Sequence, residues 1–173
     1  MYDIYSNSKN DHWRFKLGRS GSRNLITIGL NPSTATKEKS DTTIAKVERA
    51  ARQAGFDGFV MLNLYPVRST DFNALPNEAN AEALAENLAQ IEAAVAAEIT
   101  PVIWAAWGEN ILARKFFIVA GKELFIRLEK HNTSWQQFGP LTQSGHPRHP
   151  SRLHYAWEFS PFDTKRYAQK ISS

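Results

Sequence analysis

The chain's 173 residues suffice for one domain with a real core, and its 42% apolar and 12% aromatic content describes a folded globule rather than a disordered chain. No run of ~18 apolar residues is present to span a membrane, and Met1 to Phe15 lack the apolar core of a secretory signal. The absence of cysteine excludes disulfides, a thiol nucleophile and cysteine-held iron–sulfur clusters, and a net charge of +4 favours an anionic partner only weakly. The cytoplasm is the expected compartment.

In chain order, residues 1 to 12 are polar and read as loose at the start. Trp13 to Leu17 alternates and reads as an edge strand, with Arg14 and Lys16 facing solvent. Leu25 to Ile28 is a short, partly β-branched apolar run, a buried strand. It runs into Gly29, Leu30, Asn31, Pro32, Ser33 and Thr34, where proline stops the ladder and small hydroxyl residues suit a turn. Ser40 or Asp41 caps a helix to about Gln53, with Ile44, Val47, Ala51 and Ala54 on one face and Gly55 as its left-handed stop. Phe59 to Leu64 is a second strand, interrupted by Asn63.

Asn77 to Glu98 carries the longest helical signal, with Leu84, Leu88, Ile91, Val95 and Ile99 at helical spacing before the break at Pro101. Val102 to Ala106 reads as a third strand, Glu109 to Val119 as a helix and Leu124 to Leu128 as a fourth strand. The remainder from His131 is loop-rich until a last helix at Thr164 to Ile171. Strands separated by helices make right-handed βαβ units. The expected fold is therefore α/β: a single domain over residues 1–173, a three-layer α/β/α sandwich with a central, mostly four-stranded parallel sheet.

In such a sheet ligands bind past the carboxyl ends of the strands, which gathers the loops 29–36, 63–73, 106–110 and 131–153 on one edge. Asn31 either holds its own turn or faces a ligand. Asn63 in a buried strand must find partners or cost free energy. It either ties down a neighbouring loop or presents an amide edge, and an amide's paired donor and acceptor are what a pyrimidine edge requires. Gly145 to Leu153, GHPRHPSRL, is a stiff basic loop. A phosphate-contacting loop is the favoured reading of it, over a metal held by His146, His149 and His154, whose spacing fits no common site. Trp104, Trp107 and Trp135 read as core or loop-packing aromatics. There is no nucleophile elbow, P-loop, dinucleotide fingerprint or paired-carboxylate motif. Asp41 is the sole acid near the first loop, and helix capping accounts for it equally well.

Several segments, in order, resemble the uracil-DNA glycosylase superfamily. GLNPS resembles its first motif, in the mismatch-specific branch that has Asn where the uracil-specific branch has Asp. FVMLNLYPVR resembles the segment whose Asn reads the uracil edge, VIWAAWG the third-strand signature, and HPSRL the second motif. Together they cover residues 25 to 153. The combination of GLNPSTA, Asp-Thr-x-Ile, AWG and GHPRHP is closer still to the bacterial and phage domain-of-unknown-function family number 1643.

The resemblance implies roles residue by residue. Asn31 would position the attacking water, Asn63 would read the base, and His149 would stabilise negative charge on the departing base. Leu153 would be the wedge that fills the place of a flipped nucleotide. Ser151, Arg148 and Arg152 would lie against nucleic acid, and Gly29, Leu30, Pro32 and Ser33 would shape the pocket. Ser33 stands where the uracil-specific branch has a bulky Tyr, so a pocket with Ser accepts thymine or a larger 5-substituted pyrimidine. Asn31 in place of Asp implies slower cleavage, unless Asp41 or substrate phosphates help.

The implied activity is N-glycosidic hydrolysis at uracil or a 5-substituted or mismatched pyrimidine in DNA, without cofactor or metal. The alternative is a non-catalytic nucleic-acid or nucleotide binder of the same fold. DNA or a nucleotide or nucleoside is the expected partner, no membrane is involved, and a monomer is expected.

Overall fold

A computed structural model describes residues 1–173. Seven strands form one sheet: β1 (Ile4–Asn7), β2 (Arg14–Arg19), β3 (Asn24–Gly29), β4 (Gly58–Asn63), β5 (Val102–Ala105), β6 (Ser134–Phe138) and β7 (Phe159–Pro161). Their order is β1-β2-β4-β3-β5-β6-β7. The four central strands β4, β3, β5 and β6 are parallel, and the outer strands β1, β2 and β7 are antiparallel. Four helices join them: α1 (Thr42–Gln53), α2 (Ala81–Ala96), α3 (Lys115–Leu128) and α4 (Thr164–Ile171). None is long and apolar enough to cross a membrane.

Alternation along the central strands divides the core. Ile26 and Ile28, Val60 and Leu62, and Ile103 and Ala105 pack with Leu88 and Ile91 of α2, Phe117 and Leu124 of α3, and Tyr167 of α4. Leu25, Phe59, Met61 and Trp104 meet Ile44, Val47, Ala50 and Ala51 of α1. Helices therefore cover both faces, three on the first and one on the second. Asp41 caps α1 by accepting from Ile44 N–H at 2.9 Å, worth about 1 kcal/mol. Burying Ile44 and Val47 at ~1.5–3 kcal/mol each is the larger contribution, so packing holds this helix and the cap sets where it begins.

The parallel sheet has its four central strands, but the fourth is not where the sequence suggests. Leu124 to Leu128 is the last turn of α3, and β6 at Ser134–Phe138 takes the fourth position. The predicted helix at Glu109 to Val119 is instead a 3₁₀ segment, Glu109–Ala113, followed by α3. Phe116, Phe117, Ala120, Leu124 and Leu128 recur at helical spacing through Gly121 and bury one stripe. β6 and β7 lie in the stretch read as loop, because Gln136 and Gln137 interrupt the apolar pattern. The N-terminus is not loose: β1 pairs with β2, and Tyr2 is buried. β2 is consequently covered on both sides, and Arg14, predicted to face solvent, is 2% exposed. Ile99 falls beyond α2 and is fully exposed.

Candidate functional site

Parallel register brings the strand ends level: Gly29 lies opposite Asn63, and Ile28 opposite Ala105. The loops leaving them enclose a cleft of about 640 Å³. Its walls include Leu30, Asn31 and Ser33 from the first loop, Asn63, Ser69 and Phe72 from the second, and Trp107 to Asn110 from the third. Arg148, His149, Ser151 and Arg152 come from the basic loop, and Asp41 from the start of α1.

Asn31 Nδ2 donates to the carbonyls of Ser69 (3.0 Å), Pro32 (3.2 Å) and Val67 (3.4 Å). Three carbonyls around that position fix the amide's orientation, since its oxygen there would be repelled. Oδ1 is left without a partner in the chain. Around this loop Arg68 Nη1 donates to the carbonyls of Ser33 (2.8 Å) and Ala35 (3.0 Å), and Arg68 Nη2 reaches Tyr5 Oη and Asp11. Asp41 accepts from Ile44 N–H with one oxygen and from Ala35 N–H with the other, at 3.2 Å. Its carboxylate thus ties the helix to the loop while facing the cleft.

Asn63 is 1% exposed, and its Nδ2 has no hydrogen-bond partner. An orphaned buried donor costs about 1–3 kcal/mol, and the residue that carries it lines the cleft. Asn87 of α2, a polar residue on an apolar face, donates to the Asn63 carbonyl at 2.8 Å and anchors its backbone. Gly29 makes room for the side chain: a Cβ there would lie 2.8 Å from Asn63 Oδ1 and 2.6 Å from Met61 Cε. Gly29→Ala is expected to displace the Asn63 amide, at about 1–3 kcal/mol of overpacking strain. The check is a fall in melting temperature together with a shifted Asn63 side-chain amide resonance, in a chain that still folds.

His149 begins a 3₁₀ turn, and its Nδ1 accepts from Ser151 N–H (3.2 Å) and lies 2.8 Å from Ser151 Oγ. A ring nitrogen that accepts a backbone N–H is unprotonated, so the neutral ring carries its proton on Nε2. Burial pushes the imidazole down to about 4, with Lys46 adding to the shift and Asp41 opposing it. At neutral pH His149 is therefore an uncharged donor on the wall of the cleft.

The model of a family described as "Protein of unknown function (DUF1643)" matches residues 14–151. The chain belongs to that family. The matched span runs from Arg14 on one wall of the cleft to Ser151 on another. Comparison with curated proteins and with solved structures found no match.

In this DUF1643 chain the structure gathers Leu30, Asn31, Ser33, Asn63, Arg148, His149, Ser151 and Arg152 around one cavity. Gly29 and Pro32 are buried behind it, and the Pro32 carbonyl accepts from Ser69 N–H at 2.9 Å. Leu153 is half-buried against the α1 layer rather than projecting as a wedge. Arg148 donates through Nε to the Pro140 carbonyl and stacks its guanidinium 4.9 Å from the Trp157 ring, whereas Arg152 is exposed.

The metal reading of the histidines has no ligand set: no group of three His, Asp or Glu converges anywhere. His146 is buried, with Nδ1 2.8 Å from Tyr167 Oη, which also accepts from Trp107 Nε1 at 3.0 Å. That chain braces the third loop against α4. Sequence reasoning missed Arg14, Phe72 and Asn87. Only Asn87, polar on an otherwise apolar helical stripe, carried a local signal.

Proposed function

We propose that this protein recognises a pyrimidine in the strand-end cleft and hydrolyses its N-glycosidic bond, in the manner of the uracil-DNA glycosylase-like superfamily that its motifs resemble. The substrate is uracil, or a 5-substituted or mismatched pyrimidine, in DNA, and the protein acts as a cytoplasmic monomer without cofactor. A three-layer sandwich of the glycosylase type belongs to the same reading.

One observation carries it. Three segments at the strand ends bring side chains with unspent hydrogen-bonding atoms to a single cavity: the Asn63 amide, the Asn31 Oδ1 acceptor and the Nε2–H of a neutral His149. A cavity of ~300–1,000 Å³ with a few convergent polar groups is the usual form of a small-molecule site. Phe72 adds an aromatic face for a planar ring, and Ser33 leaves room beside a 5-substituent.

In the reaction the C1′–N bond breaks with its electron pair on the base, and water adds to C1′. The water's proton ends on the departed base or in solvent. His149 donates to the base oxygen as negative charge develops there. Asn31 Oδ1 accepts from the water and orients it. Asp41 supplies a fixed negative charge toward the oxocarbenium-like sugar, although both its oxygens already accept backbone N–H groups.

The test is incubation with duplexes carrying uracil, a thymine mismatch or a 5-modified pyrimidine, followed by alkali. Strand breaks at one of these bases, lost in Asn31→Ala and His149→Ala, are the expected result. If no duplex is cleaved although it binds, the second reading holds, a non-catalytic nucleic-acid or nucleotide binder. That reading draws on the same Asn31 amide, whose Nδ2 is spent on backbone carbonyls and whose oxygen cannot take up the water's proton.

A further inference from the structure

Arg14 contributes a buried guanidinium to the wall of the cleft. Its one side-chain hydrogen bond runs from Nη1 to the Ala35 carbonyl at 3.0 Å. Nε is buried without a partner, and Nη2 makes no bond within the chain. These two nitrogens form the side-on edge that grips two oxygens of a carboxylate or phosphoryl group at once. No carboxylate comes within ion-pairing distance of Arg14. Burial, with the neighbouring Arg68 cation adding to it, pushes its pKa down to about 10. Asp41, Tyr5 and Asp11 offset this only at longer range. The second guanidinium, Arg68, reaches Asp11 at 3.1 Å, so Arg14 is the one left without an acidic partner.

We propose that the cleft is an oxyanion site, in which the Nε–Nη2 edge of Arg14 holds a phosphoryl or carboxylate group of the ligand. Arg14 comes from β2, outside every segment that carries the resemblance above. A duplex keeps its phosphates at the mouth, where the exposed Arg152 stands. An oxyanion on buried Arg14 belongs to a part of the ligand that enters the protein, which makes that ligand a small acid or an acidic substituent of the bound unit. This inference shares the cavity with the pyrimidine reading but does not depend on it. Inorganic phosphate and acetate probe Arg14 alone, and uracil probes Asn63 alone.

The experiment titrates the intact protein with inorganic phosphate and, separately, with acetate. It follows the Arg14 Nε–H resonance by NMR and heat by calorimetry. The expected result is a saturable shift of that resonance with at least one of the two anions, and which one responds separates a phosphoryl from a carboxylate ligand. Arg14→Lys keeps the charge and removes the fork, so the responding anion should bind at least about tenfold more weakly. Arg166→Gln, at an exposed cation of α4 away from the cleft, should change its affinity by less than about threefold. An Arg14 Nε–H that neither anion moves overturns the proposal, as does equal anion affinity in a folded Arg14→Lys protein. The wild-type resonance decides the matter even if that variant fails to fold.

Discussion

Asn63→Ala is expected to lower uracil affinity, and kcat/KM on any cleaved substrate, by about 30-fold to about 1,000-fold, the equivalent of ~2–4 kcal/mol for two lost hydrogen bonds. The melting temperature should stay level or rise. In the unliganded protein Asn63 Nδ2 satisfies nothing, so truncation removes a buried orphan rather than a contact. The small void left behind opposes that gain. A residue kept only for the fold would behave in the opposite way, losing stability when truncated. Calorimetry with uracil beside a thermal melt separates the two. Asn63→Asp is a sharper version: it places an acceptor where the amide has a donor, which turns the preference away from the uracil carbonyl. It also buries a carboxylate, so its stability should fall.

The second large effect is at His149. Alanine there is expected to lower kcat by about 100-fold to about 1,000-fold, the usual cost of one donor at a developing oxyanion, with KM changed much less. The imidazole's pKa of about 4 adds a stability signature. The unfolded chain takes up the proton near the ordinary value of 6.5, while the folded chain resists until about 4. Stability therefore declines as pH falls from about 6.5 to about 4, and this group adds no further change below that window. Protonating Nδ1 would also set it against Ser151 N–H. In His149→Gln this contribution to the slope should vanish, which denaturant titrations across the window will show. Activity of the proposed kind should be insensitive to His149 titration above pH 6, because the proposed donor is the neutral ring.

Much of this arrangement is legible in the chain. β3, β4, β5 and α1 follow from apolar periodicity, and the loops after those strands do gather at one edge. Asn63 announced itself as an amide in an apolar strand, and the structure leaves its nitrogen without a partner. What failed has local causes. Leu124 to Leu128 is short and apolar enough to read as a strand, and only the spacing from Phe116 through Leu128 shows the helix. Ser134–Phe138 joins the sheet through backbone pairing with Val102 to Trp104, which no apolar pattern marks.

Arg14 illustrates a deeper limit. Alternation in Trp13 to Leu17 points its side chain outward, but a hairpin partner at Ile4–Asn7 and the carbonyl of Ala35 twenty-one residues later enclose it. Those are long-range facts. Asn31 shows the same thing from the other side. Its turn-holding role and its ligand-facing role are both open in the sequence; in the structure the nitrogen holds the loop, and the oxygen has no partner in the chain.

The proposed function requires that Asn63 meet a pyrimidine inside the cleft. Titration of the isotopically labelled protein with uracil, read at the Asn63 side-chain amide protons, tests this most directly. The expected result is a saturable shift of those protons, with the His149 Nε2–H moving at the same midpoint. Amide protons at Asn63 that stay fixed while uracil perturbs other parts of the surface, or perturbs nothing, would contradict it.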